Sequence, residues 1–550
     1  MKKGFTLIEL LATIVILAVI ALIATPVVMG AINSAKQGAA KDSAYSYMST
    51  LEYYIASTHA DDDTNNDFVL NGTLTETEAN TLLSNVIVKG SQPTGLSDVV
   101  ISDGKIVDAK ILVGGYTVNV DNGIVSTVVE GTAPANYNIT LSGMPTGVSL
   151  SKTTASVGET ITITLSEDYT AGSITVNGTP LTYSDGYSFT MPATDTTVVA
   201  TLGEIYGVSF AGTATGTRLN KAVGETYTKN ASTITSSLDN NEIYKDIKDV
   251  TDTLGNKFVE IPKFYIKKTV NANGNFTYQI SKYKKDNTWY LPYSFQKDDG
   301  TELPYVWIGK YDASLNGTKL ESKSGTTPLV DQTMATFRTY SSNNNTGGLL
   351  GYQLIDIHAV DIIQTLFYVE FATLDSQSIM KGFTSETNFA PIKSGATDSV
   401  ITASGSPTSN TTGTYAMKYR GIENFYGNIW QFIDGLNVQN NVAYVNAKPS
   451  TYASDVFSGD YKAVGYTNAL TNGNVSKMGY DSTKPFVQLP IEVGTSTYGD
   501  YFYRATGNRV VVLGGSWADG SDAGVSYWYP ILGSVSTDSG VGSRIIKKAL

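Results

Sequence analysis

The chain has 550 residues, a formal net charge of −12, a sequence pI near 4.8 and no cysteine. Its length fits three or four domains, its acidity argues against nucleic acid or anionic lipid as the main partner, and the absence of thiols excludes disulfides, thiol nucleophiles and cysteine metal sites. Hydrophobic content of 41% is enough for real cores, and 35 tyrosines among abundant Gly, Ser, Thr and Asn favour β-structure with the palette of a recognition surface.

The run from Phe5 to Ile32 is the only long apolar stretch, and it is long enough to span a bilayer. Lys2 and Lys3 precede it and keep the N-terminus cytoplasmic. A secretory signal would have a shorter apolar core and an A-x-A site after it; neither condition fits. Glu9 lies inside the run, where a carboxylate costs roughly 2–3 kcal/mol or more and is a functional candidate by default.

Together with the Gly4-Phe5 junction, "KKGFTLIELL" resembles the N-terminus of type IV pilins and pseudopilins. The resemblance implies a leader over residues 1–4, cleavage after Gly4 by a prepilin peptidase, and methylated Phe5 as the mature N-terminus. It also implies that Glu9 pairs with the N-terminal amine of another pilin subunit, after a stage in the inner membrane. The physics agrees, because a buried acid gains most from a buried partner. Pro26 matches the family's helix kink and must remove one backbone hydrogen bond.

Helical spacing continues through Tyr47, Leu51, Tyr54 and Ile55, so a rod of about 80 Å is expected from Phe5 to about Ser57. "HADDDTNND" ends it. Its Asp run lacks the EF-hand spacing and closing Glu and reads as a solvated acidic loop. Residues 64–130 read as short strands with turns. "KIVDAKILV" and "GYTVNVDNGIVSTVV" alternate, and Asp121-Asn122-Gly123 is a hairpin signal. The pilin resemblance implies that these strands form the small antiparallel sheet of a pilin-like unit over 5–130, and "EGTAPAN" (130–136) reads as a linker. Residues 137–203 have the period-two patterning of a sandwich of about seven strands. Their "GYSFTMPATDTTVVATL" ending resembles Ig-like bacterial repeat modules, which implies a spacer.

Residues 205–550 form the largest unit. "AVDIIQTLFYVEFATL" predicts an amphipathic helix packed on a sheet, with Ile362, Ile363, Leu366, Phe367, Val369 and Phe371 apolar and Glu370 a buried polar member. Trp430, Trp517 and Trp528 read as core or frame, and residues 394–417 contain a flexible surface loop. The two histidines, His59 and His358, fall in different predicted domains and leave no His pair for a metal. Neither G-x-S-x-G nor a P-loop is present, and Ser281-x-x-Lys284 lacks the partner motifs of a β-lactamase. The chain therefore reads as a non-enzyme with no cofactor and no metal site, with calcium dependence left open.

"FVEIPKFYIKK", "ELPYVWIGKYDAS" and above all "ENFYGNIWQF" followed by "GGSW" and "GSR" resemble phage receptor-binding and surface proteins of C-type lectin fold, in the formylglycine-generating-enzyme-like branch. The oxidase of that superfamily works through cysteines, which this chain lacks. The stretch 498–544 resembles the variable region of proteins diversified by retroelements, in which adenine-directed mutagenesis varies side chains on a fixed frame. The family's frame is matched by Gly514, Gly515, Trp517, Gly520, Ser521, Ala523, Gly524, Gly542, Ser543 and Arg544. The resemblance makes the intervening side chains the ligand-binding candidates: Tyr503, Asn508, Ser516, Ala518, Asp519, Asp522, Ser526, Tyr527, Tyr529, Ile531, Thr537 and Asp538.

The whole is expected to be a multidomain α+β chain: a long pilin helix with a small antiparallel sheet, an Ig-like β-sandwich and a C-type lectin-like α+β head. That combination implies a pilus-associated adhesin at the cell surface, a minor or tip pilin that binds a protein or glycan ligand and no nucleic acid. The competing expectation is a pseudopilin-like structural part of a secretion or DNA-uptake machine.

Overall fold

A computed structural model of the chain describes residues 7–60, 71–88, 91–130, 136–142, 147–184, 186–388, 390–409, 411–495 and 497–550. The expected leader, the Gly4-Phe5 junction, most of the acidic loop and most of the 130–136 linker lie outside these residues, as does the side chain of Glu9. The protein is multidomain and mostly β, with one long N-terminal helix and several sheets. It divides into two compact units: Met1–Gly143, Ser149–Thr164 and Thr175–Val199 make the first, and Met144–Val148, Leu165–Ile174 and Ala200–Leu550 the second.

In the first unit, helix α1 (Leu7–Ala60) has 54 residues, about 80 Å at the α-helical rise. It buries Ala40, Ala44, Tyr47, Leu51 and Ile55, a stripe at three- and four-residue spacing. Tyr54 is half-buried against the same cluster. The stripe packs on a five-stranded antiparallel sheet: β1 (Gly72–Thr73), β2 (Gly95–Ser102), β3 (Lys105–Val113), β4 (Tyr116–Asp121) and β5 (Ile124–Glu130), in that order. Inward Ile106, Ile111, Val118 and Val120 alternate with outward residues, the period of a half-buried sheet. Asn122 and Gly123 both have positive φ (51° and 75°), the conformation that lets a two-residue turn follow the strand twist.

One expectation for this unit fails. Glu76–Asn85, within the stretch read as strands, forms helix α2. Its signal was present in the sequence: the Thr75 side chain caps the backbone of Glu78, and Glu78 reaches back to the backbone of Thr75, a capping box ahead of Leu82. Among the described residues no helix is long and apolar enough to cross a membrane. The side chains described in α1 run from Val28 to Ser57, so most of the expected span falls outside them.

The strands between Asn136 and Ser209 contribute to both units. In the first, Asn136–Ser142 pairs in parallel with Thr196–Val199 and antiparallel with Thr154–Ser156, and Thr160–Ile163 pairs with Tyr187–Thr190. In the second, Ile205–Ser209 pairs with Thr277–Ser281, which pairs in turn with Tyr265–Thr269.

The second unit is built around helix α3 (Ile357–Phe371), which is buried along its whole length. This corrects the amphipathic expectation: sheets and loops cover every face, so its polar residues need internal partners. Asp356 caps it by accepting from the Ala359 amide, and Glu370 receives the Arg420 guanidinium through Nε at 2.9 Å. The chain's last strand, Ile545–Lys548, pairs between Tyr305–Gly309 and Tyr352–Leu354. The sheet that carries the variable-like region contains β6 (Trp430–Gln439), β7 (Gly473–Met478), β8 (Tyr501–Phe502), β9 (Asn508–Leu513), β10 (Trp528–Tyr529) and β11 (Val541–Gly542). The order runs β6-β9-β10-β8-β7, with β11 parallel to the start of β6.

Candidate ligand-binding face

The C-terminal "GSR" is an internal clamp. Arg544 is fully buried; its guanidinium donates to Gln431 Oε1 (3.1 Å), the Gly309 carbonyl (2.8 Å), Asp312 Oδ1 (2.8 Å) and the Glu423 carbonyl (2.6 Å). Asn428 Nδ2 donates to Asp312 Oδ2 (2.8 Å). One cation thus ties the end of the chain to two distant segments, and its cost of burial is met by charge-assisted bonds. The glycines ahead of it are close-approach positions. A Cβ on Gly524 would lie 2.0 Å from Asp500 Oδ1, and one on Gly542 would lie 2.5 Å from the Leu329 carbonyl. Gln377 Nε2 donates to the carbonyls of Gly520 and Ala523, both at 2.7 Å, which holds the loop between them. Trp517 and Trp528 are buried, Trp517 against Phe383 and Ile429.

Strand alternation sorts the tyrosines of this region. Phe502 on β8 faces Trp528 on β10 in parallel register, and both are buried. Their neighbours Tyr501, Tyr503, Tyr527 and Tyr529 therefore point to the other side of the sheet. There they meet. Trp430 stacks on Tyr529 (centroids 5.6 Å, planes 24° apart), and Tyr503 meets Tyr529 at 5.2 Å and Tyr501 at 4.5 Å. Tyr527 lies nearly parallel to Tyr529 (6.3 Å, 7°). Trp430, Tyr501, Tyr503 and Tyr529 are half-buried and keep part of each ring at the surface.

Carboxylates surround the rings. Asp519 accepts from the Ser516 amide (2.6 Å), Ser516 Oγ (2.8 Å) and the Tyr527 hydroxyl (3.1 Å). Tyr527 in turn accepts from Trp430 Nε1 (3.1 Å). Asp538 accepts from the Gly540 amide (2.7 Å), and the Gly540 carbonyl accepts from the Trp430 amide. Burial raises the Asp519 carboxyl despite these bonds, and burial followed by the Asp519 charge raises Asp522. Partial burial, then Asp522 and Asp519, push the Tyr503 hydroxyl up to about 12; burial, then Asp538 and Asp519, raise Tyr529. The charged groups acting on these two rings are carboxylates.

The twelve sequence candidates separate accordingly. Tyr503, Asp522, Tyr529 and Asp538 meet at this face, with Asp519 as its pinned acid. Three expectations are corrected: Ser516, Ser526 and Tyr527 are buried. Ser516 orients Asp519, Ser526 bonds the Tyr368 hydroxyl and donates its amide to Asp500 Oδ2 (2.6 Å), and Tyr527 is consumed by Asp519 and Trp430. Ala518 and Thr537 are exposed and Ile531 half-buried. Asn508 is exposed but lies at the far end of β9, bonded by Gln439 Nε2 (3.0 Å). It is four residues from Val512, which pairs with Tyr529, about 13 Å along the strand. Tyr501 and Trp430 were absent from the candidates, although the Tyr501-x-Tyr503 spacing signals a shared strand face. Among the described residues no cluster of three or more His, Cys, Asp or Glu is arranged to hold a metal.

Comparison with curated proteins finds no match. Solved structures similar to this chain include variants of the Major Tropism Determinant. The U1 variant is 13% identical, with 79% of this chain and 92% of that one covered and a TM-score of 0.22. The M1 variant is 14% identical, with 79% and 91% covered and a TM-score of 0.23. At the other end of the chain, residues 1–25 match the prokaryotic N-terminal methylation motif, a type IV pilin motif.

Proposed function

We propose that this chain is a pilus-associated surface adhesin, a minor or tip pilin whose C-type lectin-like head binds a protein or glycan ligand through residues around 498–544. The observation that carries the reading is one division of labour in that stretch. Gly524, Trp517, Gly542 and Arg544 are locked inside, while Tyr503, Tyr529, Asp522 and Asp538 lie at the surface on that support. Such an arrangement tolerates changed side chains without changing the fold. The methylation motif at the opposite end supports display on a filament, and no catalytic role is assigned. The sequence resemblance to retroelement-diversified proteins makes the exposed set the varied one.

Two measurements test this. A near-copy of the 3′ end of the coding sequence, beside a reverse transcriptase, is expected downstream of it. In cells, Tyr503→Ala/Tyr529→Ala should abolish attachment while the chain is still recovered in sheared filaments. Attachment that survives the substitutions would refute the adhesive role of this face.

A further inference from the structure

Building on the reading of this face as the binding surface, we infer that its partner is a protein segment presenting arginine or lysine side chains. Three features converge on that chemistry. The first is ring area: Trp430, Tyr529, Tyr503 and Tyr501 offer contiguous, partly exposed aromatic surface, and ring faces attract cations, Arg most of all.

The second is charge. Asp522 and Asp538 are half-exposed at this array, and Asp519 lies beneath it with its oxygens committed to Ser516 and Tyr527. Among the described residues none of Asp519, Asp522 and Asp538 forms an ion pair with a Lys or Arg of the chain, whereas Asp312, Asp361 and Asp434 do. Unneutralised carboxylates beside ring faces repel an anionic partner and favour a cationic one.

The third is shape. Trp430, Tyr501, Tyr503 and Tyr529 lie side by side and each keeps part of its ring at the surface, an arrangement suited to several side chains of a macromolecule more than to one enclosed small molecule. Tyr and Trp on a rigid support supply contact area at low entropic cost, and an arginine laid on Tyr529 or Tyr503 would find Asp538 or Asp522 as its carboxylate partner.

The test uses the full chain in detergent and two fluorescent probes of equal length, a Gly-Ser-Arg repeat peptide and a Gly-Ser-Glu repeat peptide. The Arg peptide should bind and the Glu peptide should not, with affinity falling as salt rises. Asp522→Asn/Asp538→Asn should weaken binding about three- to tenfold, and Tyr503→Leu/Tyr529→Leu by a similar factor, with both variants still folded and melting cooperatively. Asp103→Asn/Asp121→Asn, an equal change of net charge at exposed positions of the first unit, should leave binding unchanged. Equal weakening by that remote pair would mean that net charge alone attracts the probe, and would overturn the inference. Binding of the Glu peptide, lost in the Tyr503→Leu/Tyr529→Leu variant, would overturn the cationic preference and leave the surface reading standing. Arg-peptide binding indifferent to both face variants would overturn the inference and count against the face itself.

Discussion

Tyr527 and Tyr529 are two residues apart, yet substituting them should have opposite consequences. Tyr527 is wholly buried, and its hydroxyl donates to Asp519 and accepts from Trp430. Truncating a buried aromatic costs about 3–5 kcal/mol, and Tyr527→Ala also strips a hydrogen-bond donor from the half-buried Asp519 carboxyl. Tyr527→Phe keeps the ring and removes the hydroxyl alone, at about 1–3 kcal/mol. Tyr529 is half-buried and stacked on Trp430, so Tyr529→Ala should cost about 1 kcal/mol. Urea unfolding followed by tryptophan fluorescence reads this cleanly. All five tryptophans, Trp289, Trp307, Trp430, Trp517 and Trp528, belong to the second unit, so the signal reports that unit alone. The expected order of stability is wild type, Tyr529→Ala, Tyr527→Phe, Tyr527→Ala, with ligand binding lost in Tyr529→Ala although it stays folded. A Tyr527→Ala protein that unfolds with the wild type would refute the assignment of Tyr527 to the frame.

Mass spectrometry of the mature protein should find Phe5 first and methylated; an intact Met1, or a start beyond residue 25, would reject pilin-type processing. Glu9→Ala should leave membrane insertion intact or improved, because a desolvation cost is removed, and should deplete the chain from sheared filaments; wild-type amounts there would reject the assembly role. Arg544→Met should destabilise the second unit by about 3–5 kcal/mol by orphaning Asp312, and adding Asp312→Leu should recover part of the loss in the same urea assay. Asp481 is partly buried, which raises its carboxyl, but bonds from the Thr483 hydroxyl and Lys484, with the Thr483 and Gly465 amides, outweigh this and lower it from 3.8 to about 2. A depressed acid stabilises above its unfolded value and loses that contribution as pH falls through its folded one. The stability gap between wild type and Asp481→Asn should therefore be full at neutral pH and close between about 4 and about 2; a constant gap would show that Asp481 does not titrate there.

What the sequence made legible follows from how local each signal is. Helical spacing at Tyr47, Leu51 and Ile55 recurs within one turn and marks the buried stripe of α1. Asn122-Gly123 demands positive φ, so the turn between β4 and β5 announces itself. Even α2 carries a local signal, the capping box of Thr75 and Glu78. The face was harder to read because its members lie far apart in the chain. Trp430 reaches Tyr527 and Tyr529 only through the pairing of β6, β9 and β10, and no period in the sequence spans that separation.

Burial was the other hidden variable, and it decides what variation this region can accept. Ser516, Ser526 and Tyr527 sit between glycines and look as arbitrary as their neighbours, because small and amphipathic side chains suit frame and surface alike. Only packing separates them. Ser526 is fixed by Tyr368 on the buried helix α3 and by Asp500, and Tyr527 by Asp519. Asp519 thereby joins the two classes. It anchors Ser516 and Tyr527 on the inner side and places its charge under the exposed rings on the outer. On the proposed reading, replacing Tyr503, Asp522, Tyr529 or Asp538 should change what the face binds, whereas replacing Asp519 should loosen Ser516 and Tyr527 beneath it. A diversified head would have to hold that residue while its exposed neighbours change.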